Sequence, residues 1–327
     1  MYLIDYMAIL KGKNVLVTGG AGLVGSHLTE KLLELGAKVF VLDIVILPKS
    51  YFYSRKLAEK AKVLMVDLRD FDNVKKAISE HKIDYIFHLG AQALVTVAID
   101  EPLKTLDTNI LGTANVLEAA RQLNSVSGIL VASSDKAYGK DCVDVKETQL
   151  LNGDHPYDVS KTCTDLISTT YFKTYGLPVA IARFGNIFGP GDLYFNRIVP
   201  GAMESFLKNQ ELQIRSNGKF RRDYLFVKDV AEGYVKMAEQ IGNIKGEAFN
   251  FSTNWNFSVK ELVKKISEVL GKPIKYKILN QQQNEIPEQS LNWDKAKEVL
   301  GWQPKYTLEQ GILESFEWYK DYFSKKG

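Results

Sequence analysis

Two short groups of residues carry side chains that can exchange protons with a bound molecule. Ser134, Asp135 and Lys136 follow an apolar run, and Tyr157 and Lys161 come later in the chain. Together they supply a hydroxyl, a carboxylate, a phenol and two amines. These are the groups from which general acid–base catalysis is built. The sequence therefore predicts a catalytic site that moves more than one proton.

The spacing of Tyr157 and Lys161 gives this pair a defined geometry. Residues four apart on a helix lie on the same face. A phenol with an ordinary pKa near 10 is a weak base at neutral pH, and a neighbouring ammonium is expected to lower that pKa. Ser134 would then hydrogen-bond the substrate hydroxyl while Tyr157 removes its proton. The spacing alone is also typical of a packed tyrosine beside a solvated lysine.

The elements that must position these residues alternate between strands and helices, which is typical of a parallel doubly wound sheet. We predict an α/β fold of the Rossmann type with at least six strands and a smaller C-terminal α/β lobe. Residues 1–185, with residues 225–252 returning to them, are predicted to form the dinucleotide-binding domain. Residues 186–224 and 253–327 are predicted to form the substrate lobe.

A glycine-rich turn joins the first predicted strand to the first helix, with glycines at positions 19, 22 and 25. Such glycines allow a tight turn and a close approach of the backbone to a pyrophosphate, which the helix N-terminus attracts. Asp43 ends the second predicted strand and can accept hydrogen bonds from an adenosine ribose. Because a carboxylate there repels a 2′-phosphate, we predict NAD rather than NADP. Asp67 ends the third predicted strand, residues 63–67, and is either a second contact or a solvated strand end.

Composition limits the remaining possibilities. The 42 basic and 39 acidic residues are spread along the chain, so no basic stripe indicates a nucleic-acid partner. The two cysteines, Cys142 and Cys163, have neither zinc-site nor disulfide-scaffold spacing, which favours a reducing compartment. Residues 1–10 lack the pattern of an export signal, and no apolar run is long enough to span a membrane. We therefore expect a cytoplasmic protein without a metal.

Several motifs together resemble the extended short-chain dehydrogenase/reductase family, and specifically its nucleotide-sugar epimerase and dehydratase branch. The motifs that carry the resemblance extend over nearly the whole chain: 18–25, 88–91, Asn109, 133–139, 157–161, 183–190, 222–224 and 300–304. It implies a tightly bound NAD, a nucleotide-sugar substrate and a homodimer built from the helices at 109–123 and 157–175. It also implies the following cofactor contacts: Gly19, Gly22, Leu23, Val24, Gly25, Asp43, Asp67, Leu68, Leu89, Gly90, Ala91, Asn109, Tyr157 and Lys161.

Within that branch, the two residues after the catalytic Ser or Thr differ between reactions. Asp135-Lys136 resembles the CDP-glucose type of 4,6-dehydratase, whereas epimerases usually carry small or neutral residues there. By this resemblance Asp135 is the acid at the C6 hydroxyl, and Lys136 is a candidate base at C5. Lys136 must lose its charge to act as a base, so an ion pair with Asp135 or with a substrate phosphate is the alternative.

For the substrate, the resemblance implies Arg222 as the strongest diphosphate ligand, followed by Asn186 and Arg197. Glu288-Gln289 stand where many relatives carry an arginine, and the glycine turn also departs from that of the CDP-glucose enzymes, so the nucleotide and hexose stay open. The sequence thus predicts a nucleotide-sugar 4,6-dehydratase. A 4-epimerase of the UDP-glucose/galactose type and a non-catalytic NAD-binding protein are the alternatives.

Overall fold

The computed structural model describes residues 9–140, 142–281 and 286–324. Most of the predicted N-terminal extension, residues 1–10, lies outside this part of the chain. No helix among the described residues combines the length and the apolar character that a membrane span requires.

The strands of the described chain are β1 Asn14–Thr18, β2 Lys38–Asp43, β3 Lys62–Met65, β4 Tyr85–His88, β5 Gly128–Ala132, β6 Cys142–Val145, β7 Val179–Phe184, β8 Asn186–Phe188, β9 Leu212–Ile214, β10 Arg221–Phe226, β11 Ala248–Phe251, β12 Asn256–Ser258, β13 Tyr276–Ile278 and β14 Glu288–Leu291. The helices are α1 Leu23–Glu34, α2 Tyr51–Ser54, α3 Phe71–Glu80, α4 Val95–Asp100, α5 Pro102–Leu106, α6 Gly112–Leu123, α7 Pro156–Tyr175, α8 Ile198–Leu207, α9 Val227–Gln240, α10 Val259–Val269, α11 Asp294–Leu300 and α12 Leu308–Ser324.

Seven strands form one sheet in the order β11-β7-β5-β4-β1-β2-β3. Every neighbouring pair in this sheet is parallel. Helices α1 and α9 pack together on one face, whereas α3, α6 and α7 cover the other. The predicted Rossmann-type doubly wound fold is confirmed.

The first strand shows why this segment must lie in the middle of the sheet. Val15 and Val17 pack into the cluster beneath α1 and α9, whereas Leu16 packs into the cluster beneath α3 and α6. Successive side chains of a strand point to opposite faces, so a strand covered on both sides must be apolar at every position. A switch in strand order falls between β1 and β4, where open α/β sheets bind their ligands.

A second sheet has the order β12-β10-β14-β6, with β8 joined to β10. The short strands β9 and β13 pair separately, and α8, α10 and α12 share the second lobe's core. Strand β6 lies within the predicted domain of residues 1–185 but is hydrogen-bonded to β14 of the second sheet. Strand β11 returns to the first sheet beside β7. The proposed domain limits stay a prediction.

Two elements differ from their predicted bounds. Strand β3 ends at Met65 instead of Asp67, because residues 67–70 form a turn in which the Asp70 amide donates to the Asp67 carbonyl. The helix predicted to begin at Asn109 starts with a π-type turn over Asp107–Leu111, before α6. In this turn the Asn109 carbonyl accepts hydrogen bonds from the hydroxyls of Thr113 and Thr164.

Candidate active site

A cavity of about 1600 Å³ lies at the carboxyl ends of the parallel strands and continues into the second lobe. The ends of β1, β2, β4, β5 and β7 all contribute to its wall. Residues of β8 and α8 line the part that faces the second lobe. The cavity therefore joins the predicted dinucleotide site to the predicted substrate site.

The glycine-rich turn leaves room for a ligand's phosphates because it carries almost no side chains. Gly19 adopts φ +65°, and a Cβ there would lie 2.8 Å from the Cα of Gly90. A Cβ at Gly25 would overlap the carbonyl oxygen of Gly19. Gly22 is the N-cap of α1 and has no side chain to use the first-turn amides, so these can bind an anion. The residues present fit a dinucleotide pyrophosphate.

Asp43 sits at the end of β2 in the wall of the same cavity. The amides of Ala21 and Ile44 donate to its two carboxylate oxygens at 3.0 and 2.8 Å. Burial raises the pKa of Asp43, and these hydrogen bonds oppose that rise. The carboxylate is held rigidly and keeps acceptor capacity for ribose hydroxyls.

The other predicted cofactor contacts differ in whether their polar groups are available to a ligand. Leu23 and Val24 of α1, Leu68 after β3, and Leu89, Gly90 and Ala91 after β4 line the cavity. Asp67 also lines it, but its carboxylate accepts hydrogen bonds from the Arg69 guanidinium at distances from 2.6 to 3.2 Å. This pairing lowers the pKa of Asp67.

Asn109, predicted as a direct cofactor contact, is absent from the cavity wall in the described chain. Its side-chain oxygen accepts from the Gln92 amide at 2.7 Å. Its side-chain nitrogen donates to the Gln92 carbonyl and to Ser160 Oγ. The buried amide thus joins the loop after β4 to helix α7, and its hydrogen-bonding capacity is used in doing so.

Helix α7 brings Tyr157 and Lys161 to the cavity on one face, as their spacing predicts. Lys161 is buried and its Nζ donates to the Ala132 carbonyl at 2.8 Å. Burial lowers the pKa of Lys161 to about 8. Burial also raises the pKa of Tyr157 to about 12, helped by the charge of Asp135.

The expected lowering of the Tyr157 pKa by Lys161 is therefore wrong for this structure. Lys161 directs its ammonium to a main-chain carbonyl, and the desolvation of the phenol dominates. Arg197 opposes the rise through its charge.

Ser134, Asp135 and Lys136 form a hydrogen-bonded turn directly after β5. Ser134 is the N-cap of a short 3₁₀ turn, and its Oγ accepts from the Lys136 amide at 3.2 Å. The same hydroxyl donates to Asp135 Oδ1 at 2.9 Å. Asp135 Oδ2 in turn lies 3.0 Å from Lys136 Nζ. The ion pair that was the alternative for Lys136 is the arrangement observed.

Two further residues near this turn were missed in the sequence. Asp158 follows Tyr157 directly, lines the cavity, and has a side chain only 1% exposed. Its Oδ2 lies 3.2 Å from His155 Nε2, while its Oδ1 has no hydrogen-bond partner. Burial raises the pKa of Asp158 to about 7. The signal was its position inside the Tyr-x-x-x-Lys motif.

The second missed residue is Gln289 of β14, whose side chain reaches the same turn. Lys136 Nζ donates to Gln289 Oε1, and Gln289 Nε2 donates to the Asp135 carbonyl at 3.1 Å. The signal in the sequence was Glu288-Gln289 standing where many relatives have an arginine.

The predicted substrate ligands lie in the cavity wall on the side of the second lobe. Arg197 caps α8 and its Nη1 is 3.3 Å from Asp192 Oδ2. Arg222 of β10 donates to the carbonyl of Arg221, and Asn186 of β8 donates to the carbonyl of Asp223. Guanidinium groups in this position can bind a diphosphate.

Comparisons with known proteins identify the family to which the chain belongs. The family described as GDP-mannose 4,6 dehydratase matches residues 16–315. The CDP-glucose 4,6-dehydratase of Salmonella typhimurium is 30% identical, over 95% of this chain and 91% of that protein.

Two solved structures represent two different reactions. The UDP-glucose 4-epimerase of Thermotoga maritima, solved with UDP-glucose, is 31% identical with a TM-score of 0.85, covering 95% of this chain and 99% of that one. The dTDP-glucose 4,6-dehydratase of Bacillus anthracis, solved with NAD, is 27% identical with a TM-score of 0.83, covering 94% and 97%. The predicted cofactor is therefore confirmed at the level of the family. The chain belongs to the GDP-mannose 4,6-dehydratase family, within the NAD-dependent nucleotide-sugar dehydratases and epimerases of the extended short-chain dehydrogenase/reductase fold.

Proposed function

We propose that this protein is an NAD-dependent nucleotide-sugar 4,6-dehydratase, with CDP-glucose as the favoured substrate. The observation that carries the proposal is the hydrogen-bonded series of Ser134, Asp135 and Lys136 in the wall of the cavity that also holds Tyr157. An acid and a base beside an oxidation site are what elimination of water requires. The likeness to the Salmonella typhimurium enzyme supports the choice of CDP-glucose.

NAD would be held by the glycine turn at its pyrophosphate, by Asp43 at the adenosine ribose and by Lys161 at the nicotinamide ribose. When bound, NAD supplies the hydride acceptor for C4 and the hydride donor for C6, so it is regenerated in each cycle. Tyr157 would act as its phenolate, which the charge of Arg197 favours, and take the proton of the C4 hydroxyl, to which Ser134 is hydrogen-bonded.

The ion pair between Asp135 and Lys136 contains the proton that elimination needs. One proton moved from Lys136 Nζ to Asp135 Oδ2, over 3.0 Å, leaves a neutral amine and a neutral carboxylic acid. The amine can then remove the C5 proton, which the C4 ketone has made acidic. The acid gives its proton to the C6 hydroxyl, which leaves as water. The ion pair and the base are thus two states of the same Lys136.

Arg197 and Arg222 would bind the substrate diphosphate, with Asn186 beside them. Both arginines line the cavity on the side away from the glycine turn, so the sugar would lie between them and Tyr157. In the proposed orientation, C4 of the sugar would face Tyr157, C5 would face Lys136 and C6 would face Asp135.

A 4-epimerase of the UDP-glucose/galactose type is the second candidate, supported by the likeness to the Thermotoga maritima enzyme. Epimerisation needs Tyr157 and the cofactor but neither an acid at C6 nor a base at C5. The pairing of Asp135 with Lys136 favours dehydration for this reason.

We further propose a cytoplasmic homodimer that packs α6 and α7 of each subunit together. Leu166 and Tyr175 of α7 are each 55% exposed, as is Leu111 directly before α6. Apolar side chains exposed along two neighbouring helices suit a helix-to-helix contact. Size-exclusion chromatography with light scattering tests this state, and a monomeric mass would contradict it.

The reaction is tested by incubating the purified protein with CDP-, dTDP-, UDP- and GDP-hexoses in deuterated water, without added NAD. We expect loss of water, with deuterium at C5, from the CDP-hexose. An unchanged mass with inverted C4 would instead identify a 4-epimerase. No change in any sugar nucleotide would refute both reactions.

Two variants separate the steps. Tyr157→Phe should lower turnover by about a hundredfold or more while NAD still binds, because only the proton acceptor is removed. Lys136→Met should leave C4 oxidation intact and block elimination. Full 4,6-dehydration by Lys136→Met would contradict the role of this residue.

A further inference from the structure

Gln289 is far from Asp135 and Lys136 in the sequence, but its side chain is hydrogen-bonded to both residues. It lies on β14, which pairs with β10 on one side and β6 on the other. Its side chain is buried, with 1% of the residue exposed. The amide bridges Lys136 Nζ and the main-chain carbonyl of Asp135.

The strand that carries Gln289 is itself firmly held. The main-chain oxygen of Gln289 accepts from Asn256 Nδ2 at 3.0 Å. Two residues later, the Leu291 amide donates to Asp223 Oδ2 at 2.8 Å. Asp223 is buried and also accepts from Ser252 and Asn256. The side chain of Gln289 therefore extends from a rigid base.

The orientation of the Gln289 amide follows from its two partners. The Asp135 carbonyl can only accept a hydrogen bond, so it takes the Nε2 side of the amide. The Oε1 side must then face Lys136, to which it offers a neutral acceptor. A neutral acceptor binds an ammonium and also binds an uncharged amine, which still has N–H donors. A carboxylate acceptor instead strongly favours the ammonium.

We propose that Gln289 is a positioning residue that keeps Lys136 in place in both its charged and its uncharged form. This inference rests on the proposed dehydration. When Asp135 Oδ2 receives the proton from Lys136, the ion pair is lost, and Gln289 Oε1 remains as the contact that holds the amine. The amine keeps a lone pair free for the C5 proton. Gln289 thereby acts through Lys136 and not on the substrate.

The decisive variant is Gln289→Glu, which preserves the size of the side chain and adds a negative charge. A carboxylate beside Lys136 stabilises the ammonium, so deuterium uptake at C5 and loss of water should fall by about tenfold or more at neutral pH. C4 oxidation, followed as transient NADH absorbance, should stay within about twofold of the wild type. The pH profile of elimination should therefore differ from that of the wild type, whereas a merely structural role would leave that profile unchanged.

A second variant, Gln289→Met, removes the acceptor without adding charge. It should also slow C5 deuterium uptake, but with the pH dependence of the wild type. Gln310→Glu is the matched control, because Gln310 Oε1 accepts from the Thr307 amide on the exposed surface at the start of α12, where a carboxylate can accept the same hydrogen bond. This control should behave as the wild type.

The outcomes are distinguishable. A wild type that forms no 4-keto-6-deoxy sugar from any of the four nucleotide classes overturns the dehydration and this inference with it. A wild type that dehydrates, with Gln289→Glu dehydrating equally well, overturns only the role of Gln289. Equal loss of C4 oxidation and elimination in both Gln289 variants, with the same pH profile, would show a merely structural role and would also overturn it.

Discussion

Asp158 provides a test of the electrostatics of the site that does not depend on substrate. Its carboxyl is buried against His155, and the charges of Asp135 and Asp154 disfavour its ionised form. Lys136 acts in the opposite sense but does not cancel the burial. The perturbation is Asp158→Asn, which keeps the shape of the side chain and removes its titration.

The magnitude follows from the two pKa values. Burial raises the pKa of Asp158 from 3.8 to about 7 in the folded chain. Each pKa unit corresponds to about 1.4 kcal/mol, so the shift is worth at most about 4 kcal/mol. Well below pH 3.8 the carboxyl is protonated in both the folded and the unfolded states, and this group contributes nothing. As the pH rises from 4 to 7, only the unfolded state ionises, so the folded state loses stability, and the loss is complete above pH 7.

The assay is urea unfolding of the wild type and of Asp158→Asn between pH 4 and pH 8, at a constant NAD concentration. We expect the variant to gain up to about 4 kcal/mol of stability relative to the wild type across this range.

Asp70→Asn serves as the control, because hydrogen bonds from Asn73 lower the pKa of the exposed Asp70 and the sign of its effect is opposite. A stability difference between Asp158→Asn and the wild type that stays constant from pH 4 to pH 8 would refute the reasoning. It would mean that Asp158 is ionised in the folded protein throughout.

Three further predictions concern the dinucleotide site and the core. Gly25→Ala should weaken NAD binding by about tenfold or more in a fluorescence titration, because its Cβ would overlap the Gly19 carbonyl oxygen and displace the turn; an unchanged affinity would contradict this. Asp43→Asn should reduce the preference for NAD over NADP by about tenfold or more, since charge-assisted hydrogen bonds to the ribose are lost, and equal preference ratios would argue against the assigned role. Asp165→Asn should cost about 3–5 kcal/mol in urea unfolding, because it breaks a buried ion pair with two hydrogen bonds to Arg183, at 2.7 and 2.8 Å; an unchanged unfolding midpoint would disprove it.

Features that depend on neighbours in sequence could be predicted well. A serine followed three residues later by a glutamate, as in Ser258 and Glu261, is a capping-box pattern that the sequence displays, and both reciprocal hydrogen bonds are present at the start of α10. The glycine turn lies between β1 and α1, and Asp43 ends β2 at the same cavity. These outcomes follow from backbone geometry and short-range spacing, which a sequence displays directly.

Features that depend on burial could not be predicted in the same way. The sequence shows that Lys161 is four residues from Tyr157, but not that its ammonium donates to the Ala132 carbonyl. It therefore led to the wrong direction for the pKa of Tyr157. The size of a desolvation effect depends on every segment packed around the group. The surroundings of Asn109 could not be predicted either, because its side-chain amide is hydrogen-bonded to Gln92 and Ser160, which only the tertiary structure brings together.

The sequence by itself thus determined the fold class, the family and the chemical groups of the site, because each rests on local spacing and residue type. Only the tertiary structure decided which distant side chains meet those groups. Gln289 reaches Lys136 across a separation of 153 residues, because β14 is added to the second sheet between β10 and β6. The contact between Gln289 and Lys136 depends on how the two lobes pack together. It therefore cannot be inferred from the spacing of residues along the chain.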